Sequence, residues 1–180
     1  MKKPILLPLL AIFLAAILLL GASAGLNGIA AANAQAEHLQ IMQTLLPGST
    51  EFTVEPYTGE DTNIRSVHKG ETGFVIETVT AGYAGDITML VGVSKAGTVT
   101  GLVVRELSET YGLGAEALTD VEFLAQFLNT SGEAEVGTNV DALTGATVTS
   151  KAVTRAVNSA VAFVTGADVT TTATKWGVEE

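Results

Sequence analysis

Apolar residues change their spacing along this chain, and each change predicts a different element. Ile5 to Leu20 is almost wholly apolar, and no charged residue stands between Lys3 and Glu37. Extended through Gly21 to Ile29, the run exceeds the ~20 residues that span a bilayer as a helix. Pro4 and Pro8 lie in its first turns, where proline disturbs a helix least. From Ala30 to Leu46 the pattern remains helical, with Leu39, Met42, Leu45 and Leu46 at matching positions until Pro47-Gly48 stops it.

Beyond Pro47 the pattern turns to strands: Glu51–Glu55, Ile64–Lys69, Gly73–Thr80, Ile87–Ser94 and Thr98–Leu107. Tyr57-Thr-Gly, Lys69-Gly, Ala81-Gly and Lys95-Ala-Gly supply the turns between them. Val91 to Val104 reads as a hairpin around the last of these turns. Helical spacing returns at Asp120–Leu128, with Val121, Leu124, Phe127 and Leu128 as its apolar face. Thr119 and Glu122 stand at the spacing of a capping box. A final helix is predicted from about Ser150 to Val164, carried by Val153, Ala156, Val157, Ala160, Val161 and Val164 and ended by Gly166. The threonine-rich tail from Thr170 to Glu180, with Trp176, is either a last strand or a loose end. Local hairpins with separate helices predict an α+β fold: an N-terminal transmembrane helix, then one domain with a mainly antiparallel sheet and packed helices.

The leading apolar run has a second reading as a cleaved signal, since Ala22-Ser23-Ala24 and Ala32-Asn33-Ala34 resemble cleavage sites. Its length favours a retained anchor. Lys2 and Lys3 hold the amino terminus in the cytoplasm in either case, so the remainder lies outside. The expected organisation is a membrane anchor at 1–32, a helical stalk at 33–48 and an extracytoplasmic domain at 49–180.

The 180 residues include 9 Lys+Arg against 19 Asp+Glu, a net charge of −10. That balance argues against nucleic acid as a partner, because phosphate neutralisation needs clustered basic residues. The chain has no cysteine, which removes disulfides, thiolate catalysis and iron–sulfur ligation. His38 and His68 lack neighbouring ligand residues, so no metal site is expected. No catalytic triad can be assembled from the sequence either.

Candidate chemistry concentrates in Asp141-Ala-Leu-Thr-Gly-Ala-Thr-Val-Thr-Ser150. This stretch puts the Thr147 hydroxyl among small residues where a helix starts. Unpaired amides at a helix start favour a negative group, and a threonine oxygen can be esterified to phosphate. Gly145 and Ala146 allow close backbone approach, while Thr149 or Ser150 can cap the helix. A plain turn followed by an N-cap accounts for the same residues.

Asp141-x-x-Thr-Gly-Ala-Thr147, leading into an Ala/Val-rich helix, resembles the flavinylation motif of the FMN-binding domain family. The G subunit of the Rnf electron-transport complex and the C subunit of the sodium-pumping NADH:quinone oxidoreductase carry that domain. Gly82-Tyr-Ala-Gly-Asp-Ile87 is similar to the family's Gly-Tyr-x-Gly turn. Glu109-Thr-Tyr-Gly-Leu-Gly114 is similar to its Glu-Thr-Pro-Gly-Leu-Gly loop, with Tyr111 in place of proline. The short chain and single anchor look more like the Rnf protein.

The resemblance implies covalent FMN, phosphoester-linked to Thr147 by a separate Mg²⁺-dependent flavin transferase that uses FAD. Thr144, Gly145 and Ala146 would lie beside the phosphate. Asp141 would serve the attachment reaction, through Mg²⁺, or would form an Asx-turn. Glu109, Thr110, Gly112, Leu113 and Gly114 would line the isoalloxazine ring, with Leu113 as apolar contact and Thr110 as hydrogen-bond partner. Tyr83 is expected in the core. The implied function is electron relay within a membrane complex coupling ferredoxin and NAD⁺ to Na⁺ or H⁺ transport. Partner integral-membrane and redox subunits would supply the remaining chemistry. The alternatives are a free-standing anchored flavoprotein and a non-redox envelope binding domain.

Overall fold

The computed structural model describes residues 30, 32–107, 120–131 and 134–167. Most of the expected anchor, Thr119 of the expected capping box and the tail from Thr170 lie outside these residues. Among the described residues no helix is long and apolar enough to cross a membrane. The chain divides by its contacts into Met1–Gln40 and Ile41–Glu180, and the second unit holds the sheet.

Residues 32–45 are helical (α1). The strands are β1 (Thr53–Glu55), β2 (Ile64–Lys69), β3 (Gly73–Ala81), β4 (Asp86–Ser94) and β5 (Val99–Leu107). Two further helices are α2 (Val121–Ala125) and α3 (Thr147–Thr165). The strands pair in chain order, β1-β2-β3-β4-β5, each antiparallel to the next. Strand positions thus follow the sequence pattern within a residue or two. The short connections leave few alternatives, because Gly97 takes the left-handed φ (81°) that the β4–β5 turn requires.

Strand β4 is buried along both faces, which is why Ile87-Thr-Met-Leu-Val-Gly-Val reads as nearly unbroken apolar sequence. On one face Ile76, Met89, Val91 and Val93 join Ala152, Val153, Ala156 and Val157 of α3. On the other, Val75 and Leu90 meet Met42, Leu45 and Leu46. The domain is a sheet with helical cover on each side. Leu39, counted with the apolar face of α1, is 38% exposed.

The end of α1 approaches the sheet closely. Gly92 and Gly101 sit opposite each other on β4 and β5. A Cβ at Gly92 would overlap the Leu45 carbonyl oxygen, and one at Gly101 would lie 3.0 Å from the Leu45 Cα. The Thr100 hydroxyl donates to that same carbonyl at 2.5 Å. This bond satisfies an acceptor that the helix end leaves without an intrahelical partner.

The helices depart from expectation in their details. α2 is capped by Asp120, whose carboxylate accepts from the amides of Glu122 and Phe123, so the cap falls one residue beyond Thr119. Its buried side chain is Phe123, which stacks edge to face at 5.5 Å on the buried Phe127 of the turn that follows. Val121 is 76% exposed and Leu128 39% exposed. In one short turn the larger aromatic area decides which side faces the core. Helix α3 starts at Thr147, three residues before the expected Ser150, and ends at Gly166 with a left-handed φ of 67°.

Candidate functional site

The approach to α3 is shaped by its own sequence. Leu143 and Ala146 face inward, whereas Thr144, Gly145 and Thr147 are exposed. The Ala146 amide donates to the Leu143 carbonyl at 3.0 Å, closing a turn with Gly145 in third position. Gly145 has φ 78°, a conformation that costs other residues free energy, so the motif's glycine is a backbone requirement. Ser150, fully buried, accepts from the Leu143 amide at 3.1 Å and donates to the Ala146 carbonyl at 2.9 Å. It ties the turn to the helix without capping it.

Thr147 is therefore the first residue of α3, and its side chain faces solvent. The N-cap is Ala146, with no side-chain cap bond. The expected cap from Thr149 or Ser150 is absent: Ser150 is used in the turn, and the Thr149 hydroxyl is buried without a partner. Leaving first-turn amides free of a side-chain cap preserves their affinity for an anion.

Two amide side chains hold the segment leading into the motif. Gln126 accepts from the Asp141 amide at 2.8 Å and donates to the Asp141 carbonyl at 3.3 Å. Deeper in, Asn158 of α3 accepts from the Ala134 amide at 2.9 Å and donates to its carbonyl at 2.8 Å. Both Asn158 bonds are buried, so Asn158→Ala would strand a backbone donor and acceptor. The expected result is a loss of about 2–3 kcal/mol in chemical denaturation. A loss below about 0.5 kcal/mol, the level of a neutral surface change, would contradict this role.

Asp141 is exposed, and its side chain forms no Asx-turn: the Leu143 amide that would donate to it goes to Ser150 instead. Its carboxylate projects from a clamped backbone. Tyr83 does not enter the core. It is 79% exposed in the β3–β4 turn, which closes through the Gly82 amide and the Gly85 carbonyl at 2.8 Å. A turn of such length has no inward position for a ring.

That turn and the motif occupy the same end of the domain. Thr80, at the end of β3, donates to the Ala152 carbonyl in the second turn of α3 at 3.0 Å. β5 ends at Leu107, paired with Ile87 beside the same turn. Glu109, Thr110, Gly112, Leu113 and Gly114, the expected ring-binding loop, lie outside the described residues. Asp141, Thr144, Gly145, Ala146 and Thr147 form one continuous loop and helix start, exposed except at Ala146.

The electrostatics of α3 differ from those of the acidic chain around it. Lys151 and Arg155 are the only basic residues between Arg105 and Lys175. Both are half-buried on the helix that starts at Thr147. The Arg155 Nε is enclosed without a partner, and burial lowers the pKa of its guanidinium. Sequence reasoning passes over Gln126, Asn158, Lys151 and Arg155. For the two cations a signal existed in their isolation among acidic residues; for the amides there was none.

An FMN phosphoester fits what is present: an exposed hydroxyl, uncapped helix amides, a glycine-formed turn and nearby positive charge. Residues 82–162 match the sequence profile of the FMN-binding domain. The chain is 36% identical over 141 residues to the G subunit of the ion-translocating oxidoreductase complex of Methanosarcina acetivorans, covering 69% of this chain and 73% of that protein. It is 37% identical over 98 residues to the G subunit of the Na⁺-translocating ferredoxin:NAD⁺ oxidoreductase complex of Acetobacterium woodii, covering 49% and 47%. The match to the G subunit of the proton-translocating ferredoxin:NAD⁺ oxidoreductase complex of Clostridium ljungdahlii is 39% over 99 residues, covering 51% and 53%. In the last two alignments the chain spans about half the relative's length. With an FMN-binding domain and this extended match, the chain belongs to the G-subunit family of ion-translocating oxidoreductase complexes.

Proposed function

We propose that this chain carries FMN as a phosphoester on Thr147 and relays electrons within a membrane ion-translocating oxidoreductase of the Rnf type. One observation carries the reading: Thr147 is the exposed first residue of an uncapped helix inside the FMN-binding domain match. In attachment, the Thr147 oxygen would displace AMP from FAD, forming the bond to the FMN phosphorus as the hydroxyl proton leaves. Asp141, with its carboxylate exposed and its backbone held by Gln126, would serve this reaction. Thr144, Gly145 and Ala146 would border the phosphate, and the loop Glu109–Gly114 would meet the ring. Bound FMN supplies the redox chemistry; the protein's work is to hold it and set its surroundings.

The chain would sit in the cell membrane by a single segment within residues 1–32, with the domain on the extracytoplasmic side. There a covalent tether prevents loss of the cofactor. Ferredoxin and NAD⁺ chemistry would belong to partner subunits. Relatives named for Na⁺ and for protons match at 37% and 39% identity, so ion choice would lie outside this domain.

The direct test is mass spectrometry of the full chain produced with a flavin transferase. The peptide containing Thr147 should carry the added mass of FMN, and gentle solubilisation should retain other membrane subunits. An unmodified Thr147 peptide under those conditions would sink the flavin assignment. A flavinylated chain isolated without membrane partners would instead make it a free-standing carrier.

A further inference from the structure

Burial divides the surface of α3 unevenly. Its buried residues run from Thr149 to Val161 and include Ala152, Val153, Ala156, Val157 and Ala160. From its start through Arg155, only Thr147, Val148, Lys151 and Arg155 are exposed or half-buried. At about 100° per residue these four positions fall on a stripe roughly one quarter of the helix circumference wide, which the buried Asn158 closes one turn further on. The stripe begins at the oxygen that would bear FMN and takes in both cations, ending at Arg155.

We infer that Arg155 lies beside the isoalloxazine ring of FMN carried on Thr147 and raises its reduction potential. This rests on the flavin assignment above. Lys151 is one turn from Thr147, about 6 Å along the axis, whereas Arg155 is two turns away, about 12 Å. Helical side chains lean toward the N-terminus, which brings the guanidinium back toward Thr147 without reaching the ester itself. The ribityl chain separates the ring from the phosphate by several bonds, so the ring, rather than the phosphate, belongs at the second turn. The helix start and Lys151 already provide positive potential nearer the phosphate.

The surroundings of Arg155 support this division. Its Nε is enclosed with no hydrogen-bond partner, and the ion pair identified among the described residues joins Lys69 to Glu55 instead. A partly buried cation without a counter-charge is costly. In a chain of net charge −10, acidic partners were abundant, yet Arg155 has none among the described residues. Uptake of two electrons and one proton gives the flavin ring a net negative charge. A cation beside the ring favours that form.

The experiment uses the full chain made with the transferase, as wild type, Arg155→Met, Arg155→Gln and Arg155→Lys. Mass spectrometry first establishes FMN on the Thr147 peptide. The flavin is then titrated with dithionite against a reference dye. At one fixed potential, Met or Gln should lower the ratio of reduced to oxidised flavin by about tenfold, as loss of a nearby partly screened charge requires. For a two-electron couple this corresponds to about 30 mV. Lys should hold the ratio within about threefold, because it restores the charge but not the planar fork.

Equal potentials in wild type and a folded, flavinylated Met or Gln variant would overturn the inference. So would loss of flavinylation in a variant with wild-type circular dichroism, which would put Arg155 in the attachment reaction. If neither neutral variant folds, Arg155 is a structural residue and the inference falls. Absence of FMN from wild type would be a different result, because it removes the flavin assignment itself.

Discussion

Thr147→Ala should abolish the proposed FMN attachment, leaving the protein folded and colourless after production with the transferase. The expected mass of its motif peptide is the unmodified one, against near-complete modification of wild type. The reasoning is local. Thr147 is exposed, its hydroxyl makes no bond needed for the turn, and the turn is closed by Leu143, Ala146 and Ser150. Removing the hydroxyl should therefore leave stability within about 0.5 kcal/mol of wild type, as for other exposed substitutions. Thr147→Ser retains the oxygen and should be modified at least in part. Modification persisting in the alanine variant would move the attachment to another residue. Equal failure of serine and alanine would show that the threonine methyl group is required for recognition by the transferase.

Gly92→Val should be strongly destabilising. Strand propensity alone would favour valine at this position, since β4 is extended and apolar. The packing opposes it: the first carbon of any side chain would overlap the Leu45 carbonyl oxygen. That oxygen belongs to backbone at the end of α1 and already accepts from Thr100, so it cannot move aside cheaply. The expected cost is about 3 kcal/mol, or a fall of roughly 10 °C in Tm. Gly137→Ala is the control. Gly137 has φ 87° but nothing within 4 Å of the added carbon, so only backbone strain of about 1 kcal/mol is expected. If the two variants melted alike, close approach of Leu45 to the sheet would not be the reason for Gly92.

The strands were legible because their signal is carried by neighbours in sequence. Alternation, apolar runs and turn glycines locate β2 through β5 to within a residue or two. Helix α2 was legible in position but not in orientation. Of the expected apolar face, Phe127 and Leu124 do pack into the core, but Val121 and Leu128 are exposed and Phe123 takes the inward position beside Phe127. Tyr83 was misplaced for a related reason: an aromatic residue carries strong burial preference, but a tight turn gives it no core to enter.

The motif shows the same division. The amino-acid order alone determined that Thr147 would stand at a helix start behind a glycine turn, since Gly145 dictates a local backbone conformation. It also determined the acidic balance and the isolation of Lys151 and Arg155. Only the tertiary structure decided that Ser150 would close the turn rather than cap the helix, and that Gln126 and Asn158 would clamp Asp141 and Ala134. The two clamps join residues from separate elements, and no local spacing encodes them. Burial likewise became readable only once α3 had the sheet against one side, leaving a stripe from Thr147 to Arg155 open over its first two turns. Local sequence sets backbone conformation through nearby sterics; which groups meet, and which remain free, is set by packing across the fold.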